Sequence, residues 1–339
     1  MAKMIAIGDV GSEARAAAIG AAVTVLSHAR PIAIPTETVY GLAADACNPA
    51  AITAIYETKG RPRFNPLICH MADLAMAETH AVFDPLSRRL AEQFWPGPLT
   101  LVLPLRSTTP IHPLATAGLD SVGIRVPEGF AGELIARFGR PLAAPSANSS
   151  GRISPTTAAH VEADLGERIE LVIDGGPCPV GVESTILKVE DGRIRLLRPG
   201  GISVEAIESV TGMSVERPKA AGTAAIEAPG MLASHYAPNA PVRLEADRIE
   251  AREALITFGG RRIEGDDTAA LVLDLSPAGD LAEAASHLFA YLKQADASGS
   301  SGIAVVSIPD TGLGEAINDR LMRAAAPRDM PLEQDESLG

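Results

Sequence analysis

Between residues 33 and 70 the chain reads AIPTETVYGLAADACNPAAITAIYETKGRPRFNPLICH, and the punctuation of this stretch dictates a strand, a helix and a second strand. Asn48 followed by Pro49 is a helix start, because the amide can cap free N–H groups and the proline ring presets the first helical φ. Gly60 is the matching stop. The helix over 49–59 joins two short apolar runs, 31–34 and 67–70, that read as buried strands. Polar residues stand where these elements end: Thr36 and Thr38 after the first run, Lys59 and Arg61 at the helix end, His70 closing the second run. If the two runs lie side by side in one sheet, two hydroxyls, two cations and an imidazole meet at strand ends, where α/β units hold ligands.

Each of these residues also has a plainer reading. Cations favour helix C-termini by about 0.3–1 kcal/mol for dipole reasons alone, and a buried histidine is often a satisfied core residue. Arg125 lies in an apolar strand over 122–127, where it serves either to read a carboxylate or as an edge-strand surface residue. Arg198, in RPGG, carries the same ambiguity. Ser146-Ala147-Asn148-Ser149-Ser150-Gly151, followed by Ser154-Pro155-Thr156, gathers hydroxyls, an amide and backbone N–H groups ahead of a helix starting near Thr157. That composition suits phosphate oxygens, and equally a polar turn with a helix cap. No GK[ST] follows, so it is not a Walker A loop. Ser184 stands near the start of a strand over 183–187, and Asp191-Gly192 marks a hairpin turn.

A chain of 339 residues is long for one core and suggests two domains. Short strands broken by Pro and Gly up to about residue 212 predict a mixed, twisted sheet. Residues 213–241, rich in Pro and Gly, read as a linker too long for a passive spacer, and their Ser234-His235-Tyr236-Ala237-Pro238 cluster suits folding back on the first domain. Residues 242–327 then alternate cleanly: strands over 254–258, 269–275 and 302–309, helices over 281–294 and 314–325, a small Rossmann-like α/β unit without a glycine fingerprint. Residues 328–339 form an acidic tail.

The net charge of −13 argues against a broad basic face for nucleic acid. Cys47, Cys69 and Cys178 are widely spaced without CxxC, so neither disulfides nor zinc are expected. Residues 16–26 read as an amphipathic helix with Ile19, Val23 and Leu26 on one face, not a signal core, because acidic residues precede it. No run approaches the ~20 apolar residues of a membrane span, and a cytoplasmic protein with no membrane partner is expected.

KGRPRFNPL with His70 downstream, SANSSG followed by SPT, the strand with Arg125, and RPGG together resemble the Sua5 branch of the YrdC/Sua5 family, the threonylcarbamoyl-AMP synthases. SHYAP and IPDTGLGEAINDRL are similar to that branch's linker and C-terminal domain. The resemblance implies a YrdC-like catalytic domain over 1–212, a linker over 213–241 that folds back over the active site, and a Sua5 domain over 242–327. It implies a reaction in which L-threonine, bicarbonate or CO2 and ATP give L-threonylcarbamoyladenylate and pyrophosphate, the first step of t6A modification at tRNA position 37.

Carried over by motif, Thr38, His70, Arg125, Ser146 and Ser184 would hold threonine. Arg61, Asn65, Ser121, Asn148, Thr156, Arg198 and Tyr236 would hold ATP, and Thr36 and Ser154 are adjacent alternatives to members of these two sets. Lys59 and Arg61 would be catalytic through their charge, and Mg2+ would accompany ATP without a protein ligand set. A downstream tRNA threonylcarbamoyltransferase is the implied partner, with tRNA binding weak or absent. A double-stranded RNA or tRNA-binding regulatory module is the alternative, and a carbamoyl-transfer module of hydrogenase-maturation type lacks its companion parts here.

Overall fold

The computed structural model describes residues 1–8, 11–217, 227–229 and 235–327. The first elements are β1 (Lys3–Ala6), α1 (Ser12–Ser27), β2 (Ile32–Ile34), β3 (Gly41–Asp45), α2 (Pro49–Lys59), β4 (Ile68–His70), α3 (Leu74–His80), α4 (Pro85–Phe94) and β5 (Leu99–Pro104). They are followed by β6 (Ser121–Arg125), α5 (Phe130–Phe138), β7 (Leu142–Ala143), α6 (Ala158–Leu165), β8 (Leu171–Asp174), β9 (Thr185–Glu190), β10 (Arg193–Arg198), α7 (Val204–Thr211) and β11 (Val215–Glu216). A second group comprises β12 (Val242–Arg243), β13 (Ala254–Thr257), β14 (Leu271–Asp274), α8 (Leu281–Ala297), β15 (Ile303–Val305) and α9 (Gly314–Ala325).

The first eleven strands form one mixed sheet in the order β1-β8-β2-β3-β7-β4-β6-β5-β9-β10-β11. Side chains alternate across it with the period of two that strands impose. Ile32, Ile34, Ala43 and Leu142 pack with α1 and α5 on one face. Ala33, Leu42, Ala44, Cys69 and Ala143 pack with α2, α4, α6 and α7 on the other. On α1 the fully buried line is Ala18, Ala22 and Leu26, with Ile19 and Val23 packed at its margin. Small side chains lie innermost there because α1 is wedged against both the sheet and α5.

Helix α2 starts and stops as its punctuation predicts. Asn48 accepts from the Ala50 and Ala51 N–H groups, and Gly60 ends the helix at a φ of 61°. The two strands flanking it, however, are not neighbours. β3 doubles back antiparallel on β2 and β7 pairs with both β3 and β4, so two strands separate β2 from β4. GLAAD has no β-branched residue to betray β3, and a two-residue β7 leaves almost no pattern to read.

β11 carries the sheet into the stretch expected to lack strands, pairing parallel with β10. Residues 218–226 and 230–234 of the expected linker, and the acidic tail over 328–339, lie outside the described residues. The second sheet, β12-β15-β13-β14, is parallel throughout and packs on Leu288, Phe289 and Leu292 of α8 and Ile317 and Leu321 of α9.

The two sheets share a core: Val39, Ile153 and Val182 of the first group join Tyr236 and the α8 residues. At this seam Gly181 takes a φ of +76°, and a Cβ there would sit 2.3 Å from the Cα of Ser286, so the close approach needs glycine. Among the described residues no helix is long and apolar enough to cross a membrane.

Candidate active site

Parallel pairing of β4 with β6 sets His70 beside Arg125 at the same strand ends. β6 lies between β4 and β5 and Arg125 is buried, which excludes the edge-strand reading. Its Nη1 donates to Thr38 Oγ1 at 2.8 Å and its Nε to the Gly97 carbonyl at 3.2 Å. Its Nη2 lies 2.7 Å from Glu37 Oε1, but out of line, so neither atom has a hydrogen-bond partner among the described residues. Thr36 is spent locally, donating to the Val39 carbonyl and bonding Thr38 Oγ1. Burial, reinforced by Arg125, pushes the His70 imidazole down to about 3, so the ring is neutral, with Nδ1 unpartnered among the described residues.

Across the sheet, β5 pairs parallel with β9, and Ser184, just ahead of β9, meets Thr100 hydroxyl to hydroxyl at 2.7 Å. The β9–β10 register slips between Leu196 and Arg198, and such a bulge re-aims a side chain. Arg198 Nη2 donates to the Ser184 carbonyl at 2.9 Å and to its Oγ at 3.3 Å, and Nη1 to the Pro229 carbonyl at 3.4 Å. Burial lowers the pKa of Arg198, and brings that of Arg61 down to about 10.

Lys59, in the last turn of α2, is buried, and its Nζ donates to the Ser146 and Asn148 carbonyls. It therefore holds the SANSSG loop against the helix end. Burial, with Arg61 nearby, puts its pKa well below the usual lysine value. Arg61 donates through Nε to the Asn65 carbonyl at 3.2 Å and through Nη2 to that of Pro66 at 3.0 Å. The Oδ1 atoms of Asn65 and Asn148 are buried with no partner among the described residues.

Thr38, Arg61, His70, Arg125, Ser146, Ser184, Arg198 and Tyr236 line one cavity of about 50 Å³. Lys59, Asn65 and Asn148 stand behind it, in contact with the lining residues just described. Ser121 opens β6 at the end opposite Arg125; extending the β4–β6 register two residues back sets it across from Pro66. Thr156 is buried, its Oγ1 3.4 Å from His160 Nδ1, and neither it nor Ser121 lines the cavity.

Glu37, Glu183 and His235 were not legible as site residues. Glu183 and His235 line the same cavity, and Ser154, an expected alternative, donates to Glu183 Oε1 at 2.6 Å. Burial alone would raise the Glu183 pKa, but Arg320, Arg198 and Ser154 together hold it down to about 2. Tyr236 is buried with its ring stacked on Phe289, centroids 5.3 Å apart. A roomier groove of about 790 Å³ lies between the SANSSG loop and α8, but its Arg152, Asp164 and Asp296 are all hydrogen-bonded.

A family model described as "Telomere recombination" matches residues 24–200, and one described as "Threonylcarbamoyl-AMP synthase, C-terminal domain" matches residues 202–326. A threonylcarbamoyl-AMP synthase of Bacillus subtilis is 42% identical over 91% of this chain and 93% of its own. The chain belongs to the Sua5 family of threonylcarbamoyl-AMP synthases. A second member of this family, from Pyrococcus abyssi, is 41% identical over 88% of this chain and 91% of its own. The crystal structure of P. abyssi Sua5 complexed with L-threonine superposes with a TM-score of 0.83 at 36% identity, covering 95% of this chain and 97% of that one. Escherichia coli YciO, at 21% identity and a TM-score of 0.53 over 59% of this chain, shares the fold. These relatives support the synthase reading over the RNA-binding alternative.

Proposed function

We propose that this chain condenses L-threonine, bicarbonate or CO2 and ATP into L-threonylcarbamoyladenylate and pyrophosphate, the first step of tRNA t6A37 modification. The observation that carries this reading is a convergence: Asn65 Oδ1, His70 Nδ1, Asn148 Oδ1 and Arg125 Nη2, the last ion-paired with Glu37, are buried without hydrogen-bond partners among the described residues, all in or directly behind one cavity rich in guanidinium groups. Buried polar atoms are rarely left so; substrate oxygens would take the guanidinium N–H, while the amine and hydroxyl of threonine and the hydroxyls and amino group of ATP would donate to the amide oxygens.

In this reading Arg125 takes the threonine carboxylate, while Thr38, His70, Ser146 and Ser184 hold its remaining polar atoms. A neutral His70 offers a hydrogen bond without adding charge beside Arg125. Arg61, Asn65, Asn148, Arg198 and Tyr236 serve ATP at the cavity, and Ser121 and Thr156, which lie outside it, would serve ATP only where the nucleotide extends beyond the cavity. The threonine amine and CO2 form a carbamate with loss of a proton. A carbamate oxygen then bonds to the α-phosphorus while the bond to the bridging oxygen breaks, and pyrophosphate leaves with that electron pair. No protein nucleophile is needed, so the chain contributes orientation and positive charge. Lys59 acts by its charge and by fixing the SANSSG loop.

Glu37 lies against Arg125 and Glu183 is bonded to Arg320, so the metal would enter as MgATP, held by phosphate oxygens and water. A cavity of about 50 Å³ is far below the ~300–1,000 Å³ of small-molecule sites. ATP would therefore enter when Pro229, His235 and Tyr236 withdraw from the cavity they line, and these residues would close over it. Pyrophosphate release should require threonine and bicarbonate together; release that continues without threonine would reject the reading.

A further inference from the structure

The second sheet carries none of the residues assigned above, yet one of its side chains reaches the cavity wall. Arg320, on α9, is wholly buried. Its Nε donates to Glu183 Oε2 at 2.9 Å and its Nη1 to the Pro199 carbonyl at 2.8 Å. Its guanidinium also lies 5.3 Å from the centroid of the Tyr236 ring, and Asp319 accepts from Nη1 at 2.7 Å. Glu183 immediately precedes Ser184, and Pro199 immediately follows Arg198. One guanidinium therefore grips both segments that deliver the Ser184–Arg198 pair to the cavity, and touches the ring that covers it.

We propose that Arg320 is a positioning residue: docking of the second unit clamps the start of β9 and the end of β10, and thereby fixes Ser184 and Arg198 for the reaction. The inference rests on the synthase reading given above. The two clamped segments are pressed together so tightly that a Cβ at Gly200 would lie 2.3 Å from the Glu183 carbonyl oxygen. A shift of either segment is thus passed to the other. Arg198, bonded to both the carbonyl and the hydroxyl of Ser184, moves with them.

Arg320→Met removes the clamp and leaves Glu183 buried without its main cation. The charged or titratable groups then facing Glu183 are Arg198 from β10 and His235 and Tyr236 from the residues covering the cavity, with Asp319 of α9 beside Arg198 and Tyr236. Loss of positioning predicts that kcat/KM for pyrophosphate release falls about 10²-fold, the order expected for a misplacement near 1 Å, in protein that still melts cooperatively. With Arg320 gone, burial would push the Glu183 carboxyl upward against the remaining Arg198 and Ser154, so kcat/KM should fall more steeply towards acid than it does in the wild type. Adding Glu183→Gln should remove that extra acid loss without restoring the rate.

If R320M does not fold, R320K serves instead, because a single ammonium keeps the charge but cannot span Glu183 and Pro199 together; the rate loss is then the readout. R320M or R320K with wild-type kcat/KM would overturn the inference, as would a loss confined to melting temperature. A wild-type chain that releases no pyrophosphate with threonine, bicarbonate and ATP would instead reject the synthase reading on which the inference rests.

Discussion

The two sheets are built from the same α/β grammar, yet they treat buried polar atoms in opposite ways. In the second sheet the strand ends satisfy themselves: Asp274, closing β14, accepts from the Gly260 and Ser276 N–H groups, and Ser276 Oγ donates to Glu283. In the first sheet the corresponding region leaves atoms of Asn65, His70, Arg125 and Asn148 without a hydrogen-bond partner among the described residues. Within residues 242–327 the one comparable atom is Nη2 of Arg320, on the side chain that reaches across to the first sheet. Sheet architecture thus supplies two candidate ligand sites, and the accounting of hydrogen bonds picks out one.

The sharpest way to break this contrast is Lys59→Ala, which removes a preorganised charge and unties the SANSSG loop from α2. Turnover should fall by ~10²–10³, read as pyrophosphate release, and near-normal turnover would remove Lys59 from the chemistry. Two further substitutions divide the cavity. Arg125→Met should raise KM for threonine by about 10²-fold while leaving ATP affinity within a fewfold, and Arg198→Met should raise KM for ATP by a similar factor with a smaller loss for threonine, because Arg198 also holds Ser184; losing one partner of a buried charged contact costs ~2–5 kcal/mol. Equal damage to both substrates from either variant would merge the two halves of the site.

A chain ending after Arg217 keeps β11 on its sheet and should fold, but it loses Tyr236 and the Arg320 clamp. Calorimetric titration should show weakened ATP binding, and unchanged affinity would reduce the rest of the chain to a tether.

Acid should expose the same contrast as a loss of stability. His70 and His235, each pushed down to about 3 by burial, refuse protons that the unfolded chain accepts from about pH 6.5 downward. The unfolded state therefore binds more protons across that window, so unfolding free energy falls as pH drops from 6.5 towards 3. Glu183 adds to the loss below about 4.5, where its unfolded counterpart protonates first. Denaturant titrations of His70→Asn should show a flatter slope between pH 6.5 and 3. The smallest effect belongs to the second sheet: Asp274→Asn should shift stability by about 1 kcal/mol or less and leave turnover unchanged.

Much of the first sheet's site was legible because local chemistry marks it. Asn48-Pro49 and Gly60 fix the ends of α2, and so place Lys59 and Arg61. SANSSG, RPGG and the buried arginine of VGIRV each mark a segment that the sheet brings together. The strand order was not legible, because nothing in GLAAD or in a two-residue β7 announces that β3 and β7 intervene between β2 and β4. Helix α5 carries a weak local signature: Gly139 ends it at a φ of 75°, but Gly129 stands at its N-cap with no side chain to mark the start. Glu183 was missed for a different reason: its partner Arg320 lies 137 residues further along the chain, and no local pattern encodes a contact between units. Tyr236 was expected over the cavity, but its stacking on Phe289 depends on the same seam.

The central claim is that threonine and ATP together supply the partners which the first sheet's cavity lacks. Thermal unfolding of the full chain with threonine alone, with MgATP alone and with both tests it most directly, because a ligand that binds only the folded state raises the melting temperature in proportion to RT ln(1 + [L]/Kd). The account predicts a shift with both ligands that exceeds either single shift. A melting temperature that does not respond to threonine, with or without MgATP, would contradict it.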